Sequence, residues 1–313
     1  MDSPGIGHEN LPHAPYQSSE YNPQVLNALT IDVEPWFQTE VVQRTLPPAD
    51  RAGLDLRLHR GIDPLLRVLD TFDVRATFFV TGEVADTAPR VVLEIARQGH
   101  EIACHHLHHE RVLDCDPASF RAQVLQARDT LEQASGHPVR GYRAPTWSIT
   151  AQNLNLLEIL DELGFDYDSS IQATGLGPWG IPDLYPYPFR IRGLGLVELP
   201  PSILGLGRAR LPFAGGFFLR LLPSRLVAHG IRRLNRRGHP AVVHAHNWEF
   251  DVALPRLPLS TTGSWVQYHN LGSMEGRLRF LLEHAGPFTT MAEIISPPNQ
   301  WPEVDLGFRR DAA

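Results

Sequence analysis

The chain reads as an α/β protein built on a parallel sheet or barrel. Three observations predict this. Apolar, strand-like runs alternate with segments of helical apolar spacing along most of the chain. The helical segments carry recognisable start and stop residues. Acidic, imidazole and guanidinium side chains gather at the ends of the predicted strands, where parallel α/β folds place their chemistry.

Residues 1–24 are polar, rich in Pro, His, Ser and Asn, and aperiodic, so they read as a disordered tail. The first strand runs from Val25 to Asp32 and ends in acid. Ile62, Leu65, Leu66, Val68, Leu69 and Phe72 have helical spacing. Arg75 to Gly82 reads as a buried strand, Val84 to Gln98 as one helix stopped by Gly99, and Glu101 to Ala103 as a strand. Asp116-Pro117 caps a helix reaching Ser135. Val139 to Arg143 is strand-like, Thr150 to Leu163 is helical with Gly164 behind it, and Phe165 to Asp168 is a short strand. Residues 169–222 fill with Gly and Pro and read as loops, with a strand near Gly195 to Leu199. Regular structure returns with a helix from Ser224 to Arg237, a strand from Ala241 to His246 and a helix from Met274 to His284. No repeat or linker divides the chain, so residues 25–295 are expected to form one domain, with 296–313 as a C-terminal tail.

Composition narrows the function. The 313 residues are 42% hydrophobic and 20% charged, ordinary for a globular protein, and the formal net charge of -7 argues against nucleic acid as the main partner. The basic run Arg232–Arg237 reads as the cationic end of a helix. Cys104 and Cys115 cannot make a disulfide framework. No apolar run reaches the length of a membrane span. The N-terminus shows no basic region followed by an apolar core, so no signal peptide is read and the cytoplasm is the expected location.

The densest chemistry is Cys104-His105-His106-Leu107-His108-His109, which packs four imidazoles into five positions after a strand. Imidazole is the commonest protein metal ligand, and histidines four residues apart on a helical turn reach one ion. A metal site is therefore expected, against the plainer reading of a His-rich polar loop.

Five ordered motifs then align. They are Thr30-Ile31-Asp32-Val33-Glu34, Cys104-His105 with His109, Gly141-Tyr142-Arg143-Ala144-Pro145-Thr146-Trp147-Ser148, Tyr167-Asp168-Ser169-Ser170, and His246-Asn247-Trp248-Glu249. Together they resemble the polysaccharide deacetylase family, carbohydrate esterases that share the domain of the rhizobial Nod-factor deacetylases. Trp179-Gly180-Ile181-Pro182-Asp183, Ala214-Gly215-Gly216-Phe217-Phe218 and Leu221-Leu222-Pro223 look like the branch encoded with exosortase-linked exopolysaccharide loci. The resemblance covers Leu26 to Glu293. It implies a distorted (β/α)7-type barrel with a loop-rich insertion and a C-terminal extension, and metal-dependent removal of acetyl groups from the N-acetylated sugars of a polysaccharide or its precursor.

Carried over by residue, the resemblance makes His105 and His109 metal ligands. Asp32 is taken as the catalytic base and Glu34 as the third ligand, with the reverse assignment left open. It makes His246 the general acid, with His244 as a competitor for that role. Arg143 would brace the base, and Asp168 would orient either that arginine or the acid histidine. The Thr146 N–H would meet the oxyanion, since Pro145 has none to give. Trp147 and Trp248 would stack on sugar rings, or else simply pack at the barrel mouth. Two imidazoles and a carboxylate suit zinc, with cobalt, nickel or iron as alternatives. His106 and His108 are left as neighbours of the metal, substrate contacts or bystanders. Val33 stands where many family members have a second aspartate, and Asn247 where the closer branch usually has Pro. Two rivals follow: a hydrolase of another C–N bond, such as a cyclic ureide or imide, on the same barrel, and a non-catalytic carbohydrate-binding relic.

Overall fold

A computed structural model describes residues 25–51, 53–175, 180–206, 209–296 and 300–307. The expected N-terminal tail, Trp179 and half of the expected C-terminal tail lie outside these residues; in the other half Glu303–Val304 is a strand of the main sheet rather than part of a tail.

The fold is the α/β barrel the sequence implies. Strands β1 (Asn27–Val33), β2 (Thr77–Val80), β3 (Glu101–Cys104), β4 (Gly141–Tyr142) and β5 (Tyr167–Asp168) pair in parallel in that order. β6 (Phe189–Ile191) turns back antiparallel onto β7 (Val197–Glu198), and β7 continues the parallel series beside β5. β8 (Ile203–Leu206) and β9 (Ala209–Pro212) form a separate antiparallel hairpin. β10 (Val242–His246) pairs in parallel with the other side of β1. β11 (Phe288–Thr289) joins the start of β1, and β12 (Glu303–Val304) extends the sheet beyond β6. Between β7 and β10 the ring is closed by one residue. The Ser202 N–H donates to Val242 O at 3.2 Å, and the Val242 N–H donates to Ser202 Oγ at 2.8 Å. Further up the same edge of β10 the loop at Gly215 takes over, where the His244 N–H donates to Ala214 O and the Gly216 N–H to His244 O, each at 3.0 Å.

Alternation along the strands sorts the side chains into two layers. Leu29, Ile31 and Val33 of β1 point outward into the large core under the helices. Ala28 points inward with Phe79, Ala103, Tyr167, Leu199 and Val242, and this small inner core plugs the barrel's lower half. Thr30 and Asp32 follow Ala28 on the inward face, so β1 passes from apolar to acidic as it rises toward its carboxyl end.

Helix boundaries show where local chemistry overrides the periodic pattern. The segment expected as one helix is two, Gly82–Thr87 and Pro89–Arg97, because Pro89 supplies no N–H and holds Ala88 out of helical geometry at φ -136°, ψ 53°. The helix expected from Thr150 begins at Asn155, since Asn153 Oδ1 accepts from the Thr150 N–H at 2.7 Å and ties the preceding residues into a turn. Helix Pro117–Ser135 matches expectation, with Asp116 accepting from the N–H groups of Ala118 and Ser119, and Gly136 left-handed at its end. A helix absent from the sequence reading, Thr261–Tyr268, crosses beside the barrel mouth. Among the described residues no helix is long and apolar enough to cross a membrane.

Candidate active site

Strand register brings the expected residues to one level. Asp32 on β1 pairs with His246 on β10 and Phe79 on β2, Cys104 pairs with Tyr142, and Tyr142 pairs with Asp168. His105 and Arg143 each sit one residue past a strand end. A cavity of about 280 Å³ opens there, with Asp32, Glu34, His105, His109, Thr146 and His246 among its lining residues.

Glu34, His105 and His109 are buried, and one ligand atom from each lies within 4.8 Å of the others. His105 Nδ1 lies 2.8 Å from the Arg143 carbonyl, so Nδ1–H donates there and Nε2 keeps its lone pair for the cavity. Glu34 Oε2 lies 2.6 Å from His109 Nε2 and is otherwise unpartnered. Its other oxygen accepts from Trp248 Nε1 at 3.0 Å, and its backbone N–H donates to Asn247 Oδ1 at 3.0 Å. Asn247 thus pins the backbone of the acid. A buried carboxylate oxygen met only by one imidazole, with a second imidazole close by, is the donor set a divalent cation takes. Burial would raise the Glu34 pKa, but the charge and hydrogen bond of His109 bring it down to about 2. Burial pushes His105 down to about 4, keeping it neutral and ready to ligate.

Asp32 stands apart from this trio. It accepts from Arg143 Nη1 at 2.6 Å, and Arg143 is held by Thr30 Oγ1 and Ser169 and lies 4.0 Å above the Phe79 ring. Burial would raise the Asp32 pKa; Arg143, with His105 and His246, holds it well below the usual carboxylate range. Glu34 is thus the carboxylate grouped with the two imidazoles as a set that could hold a metal, whereas Asp32 is engaged by Arg143.

His246 Nε2 lies 4.0 Å from Asp32 Oδ2 across the cavity. Behind it, Nδ1 lies 3.2 Å from Glu249 Oε2, which also accepts the His246 backbone N–H at 2.9 Å. Arg220, 1% exposed, donates to Glu249 Oε1 at 2.6 Å and to the carbonyls of Val266, Gln267 and His269. Burial would lower the His246 pKa; the hydrogen bond and charge of Glu249, with Glu34 and Asp32, raise it to about 9. His244, its competitor, is different. Burial and Arg143 push it down to about 3, and its ring packs edge-on against Trp147 at 4.5 Å in space that Gly215 leaves open, where a Cβ would fall 1.7 Å from the imidazole.

Several expected roles change. Asp168 contacts neither Arg143 nor His246 directly. It accepts from the Ser170 N–H and hydroxyl and lies against Glu198, while Ser170 Oγ accepts the Ala144 N–H, so its influence passes to the loop before Thr146. The acid behind His246 is Glu249, whose role the sequence reading missed although His246-x-x-Glu249 has capping-box spacing. Arg220 was missed as well. It lies in the loop-rich stretch, 29 residues before Glu249, and no local pattern marks it. Trp248 is 6% exposed and stacks on His246, so its indole serves Glu34 rather than a sugar face. Trp147 is partly exposed and lines the cavity. Thr146 and Trp147 both have left-handed backbones, φ 55° and 52°, and the Thr146 N–H makes no hydrogen bond among the described residues. His106, at φ 65°, turns away from the cavity, stacks on Phe120 and meets the Tyr142 hydroxyl at 3.1 Å. His108 is about half exposed beside Glu83. Cys104 packs in the outer core under the helices and is not among the groups that converge on the cavity; burial pushes its thiol up to about 12.

Residues 54–167 match the family model described as polysaccharide deacetylase, and residues 169–296 match a domain of unknown function, DUF3473. The first match stops short of Asp32 and Glu34. A peptidoglycan-N-acetylglucosamine deacetylase of Bacillus cereus is 29% identical over 112 residues, which is 34% of this chain and 41% of that protein. A chitooligosaccharide deacetylase of Sinorhizobium fredii is 37% identical over 87 residues, 27% of this chain and 40% of that protein. The chain thus spans about two fifths of the length of these two relatives. Over nearly its whole length the fold resembles a crystal structure from Mycobacterium smegmatis described as a candidate polysaccharide deacetylase, with TM-score 0.61, 23% identity and coverage of 97% of this chain and 99% of that one.

Proposed function

We propose that this protein, whose residues 54–167 match the polysaccharide deacetylase model, is a metal-dependent hydrolase that removes N-acetyl groups from amino sugars of a polysaccharide or its precursor, releasing acetate. The observation that carries this reading is the convergence on one cavity of a three-ligand cation site, a separate ionised carboxylate and a cationic imidazole.

Glu34, His105 and His109 would hold the cation, which when bound polarises the amide carbonyl and acidifies water. The chain's own groups supply the rest. Asp32, kept ionised by Arg143, accepts the proton of the attacking water. Its low pKa makes it a weak base, so it works only on water that is already acidified. The free Thr146 N–H is the donor available to the developing oxyanion. His246, held protonated by Glu249, gives its proton to the departing amine nitrogen, without which the amide C–N bond does not break. The presence of Asp32, Glu34 and His246 around one cavity favours catalysis over a carbohydrate-binding relic. A zinc-loaded preparation is expected to release acetate from N-acetylhexosamine oligomers and to lose that activity on chelation. Absence of release from every oligomer with metal bound would overturn the reading.

A further inference from the structure

Asp168 and Glu198 take no part in the proton transfers proposed above, yet both are fully buried carboxyl groups. They face each other in register at the ends of β5 and β7. Tyr167, Val197 and Leu199 point into the barrel, so strand alternation sends Asp168 and Glu198 to the outer layer under the helices. Neither makes an ion pair among the described residues, Arg143 being taken by Asp32. Two neighbouring carboxylates do not both stay ionised in such surroundings. The hydrogen bonds show which one keeps its charge. Asp168 accepts on both oxygens, from the Ser170 hydroxyl at 2.5 Å and the Ser170 N–H at 3.1 Å. Glu198 accepts from the Ile171 N–H at 3.1 Å through Oε1, and its buried Oε2 meets no donor among the described residues. A buried carboxyl oxygen with no donor is satisfied once it carries a proton and donates instead. Burial and the charge of Asp168 push the Glu198 pKa well above the ordinary carboxylate range.

The pair is wired to the catalytic cavity. The Ser170 hydroxyl that donates to Asp168 accepts the Ala144 N–H at 2.8 Å. That N–H and the Arg143 carbonyl belong to one planar peptide unit. The carbonyl in turn accepts from His105 Nδ1 at 2.8 Å. An unbroken line therefore runs from His105 through the 143–144 peptide and Ser170 to Asp168, and every bond in it donates toward that carboxylate. Such a chain polarises in one direction and strengthens each of its members. A histidine whose outer N–H is held this way is fixed in tautomer and ring orientation.

We infer that Glu198 carries a buried proton which it donates to the ionised Asp168, and that this pair is the fixed end of a hydrogen-bond relay that positions His105 for metal. Glu198, Asp168 and Ser170 are then positioning residues, remote from the reacting atoms. The inference rests on the deacetylase reading for the metal at His105, and the test separates the two. Infrared spectra at neutral pH, zinc affinity by competition with a chromophoric chelator, and acetate release are measured for the native chain, Glu198→Gln, Asp168→Asn and Ser170→Ala. Gln is the neutral mimic of a protonated Glu: its amide N–H donates to Asp168 and its oxygen still accepts from Ile171. Asn at 168 offers one oxygen to three donors. The carbonyl band of a protonated carboxylic acid should appear in the native chain and in Ser170→Ala and be lost in Glu198→Gln. Zinc should bind Glu198→Gln within about threefold of the native affinity, and Asp168→Asn and Ser170→Ala about tenfold more weakly, with kcat falling in the same order. Absence of the band, its persistence in Glu198→Gln, or a tenfold loss of zinc affinity in Glu198→Gln overturns the shared proton. Native zinc affinity in Ser170→Ala overturns the relay, and that variant decides the matter if Asp168→Asn does not fold. If no preparation releases acetate, the deacetylase reading fails while the band and the zinc affinities still judge the pair.

Discussion

Two buried arginine–carboxylate pairs flank β1, and they do different work. On the β2–β4 side Arg143 meets Asp32 at 2.6 Å; on the β10 side Arg220 meets Glu249 at 2.6 Å. Both arginines are at most 1% exposed, and both carboxylates are held ionised against the burial that would neutralise them. Asp32 faces the cavity and in the proposed mechanism is itself the working group. Glu249 does not reach the reacting atoms; it turns its charge on His246 and raises the imidazole to about 9. On the proposed mechanism the same pairing yields a proton acceptor on one side and a proton donor on the other. What decides the outcome is whether an imidazole stands between the carboxylate and the cavity.

The comparison breaks most sharply at Asp32. Asp32→Asn still accepts from Arg143 but takes no proton, and kcat is expected to fall by about 10³-fold or more. Glu34, His105 and His109 are untouched, so elemental analysis should find the cation retained. Loss of the metal along with activity would make Asp32 a ligand and reverse the assignment. On the other flank Arg220→Met leaves the Glu249 carboxylate buried without its cation. Denaturant unfolding should report a loss of about 3–5 kcal/mol, only partly recovered when Glu249→Leu is added, because the three carbonyls and the His246 N–H remain unpaired.

Glu249→Gln sharpens the comparison at lower cost, since Gln still accepts from Arg220. A loss of about 10- to 100-fold in kcat/KM is expected, the usual effect of removing the group behind a working histidine. In the metal-free protein His246 should titrate near 9 by NMR and fall toward its ordinary value in the variant. The sign follows from the folded pKa lying above the unfolded one. The stability His246 contributes, about 3 kcal/mol at most, is full below pH about 6.5 and is lost as pH rises through about 9. Stability that instead grows across that interval would contradict the Glu249 contact.

The two flanks differed in how much the sequence disclosed. Asp32, His105, His109 and Arg143 stand at strand ends within short, ordered motifs, and strand periodicity alone predicts that they share a rim. The Glu34 assignment needed three dimensions, because its partners Asn247 and Trp248 lie more than two hundred residues away in the chain. Glu249 was visible as a letter without a role. Arg220 was not legible: it sits in the Gly- and Pro-rich stretch after Ser169, where neither period applies, and its three carbonyl acceptors belong to a helix whose pattern was too weak to read. The break at Pro89 is the opposite case, a local signal that outranked the longer apolar period.

The smallest expected effect tests whether His246 acts by its place or merely as one imidazole among several. His244 lies two residues earlier on β10 and faces the same interior. It has no carboxylate behind it, and its Nδ1 has no hydrogen-bond partner. Pushed down to about 3, it stays neutral throughout the working range and has no proton to give. His244→Leu removes an unsatisfied polar atom while keeping contact with Trp147. It is therefore expected to change stability by no more than about 1 kcal/mol, because deleting an unpaired buried polar group offsets the loss of ring contacts. kcat should fall by less than about threefold, against the roughly 10²-fold or greater loss expected for His246→Leu. A loss in His244→Leu equal to that in His246→Leu would move the acid two residues back along the strand and leave Glu249 as a cap alone.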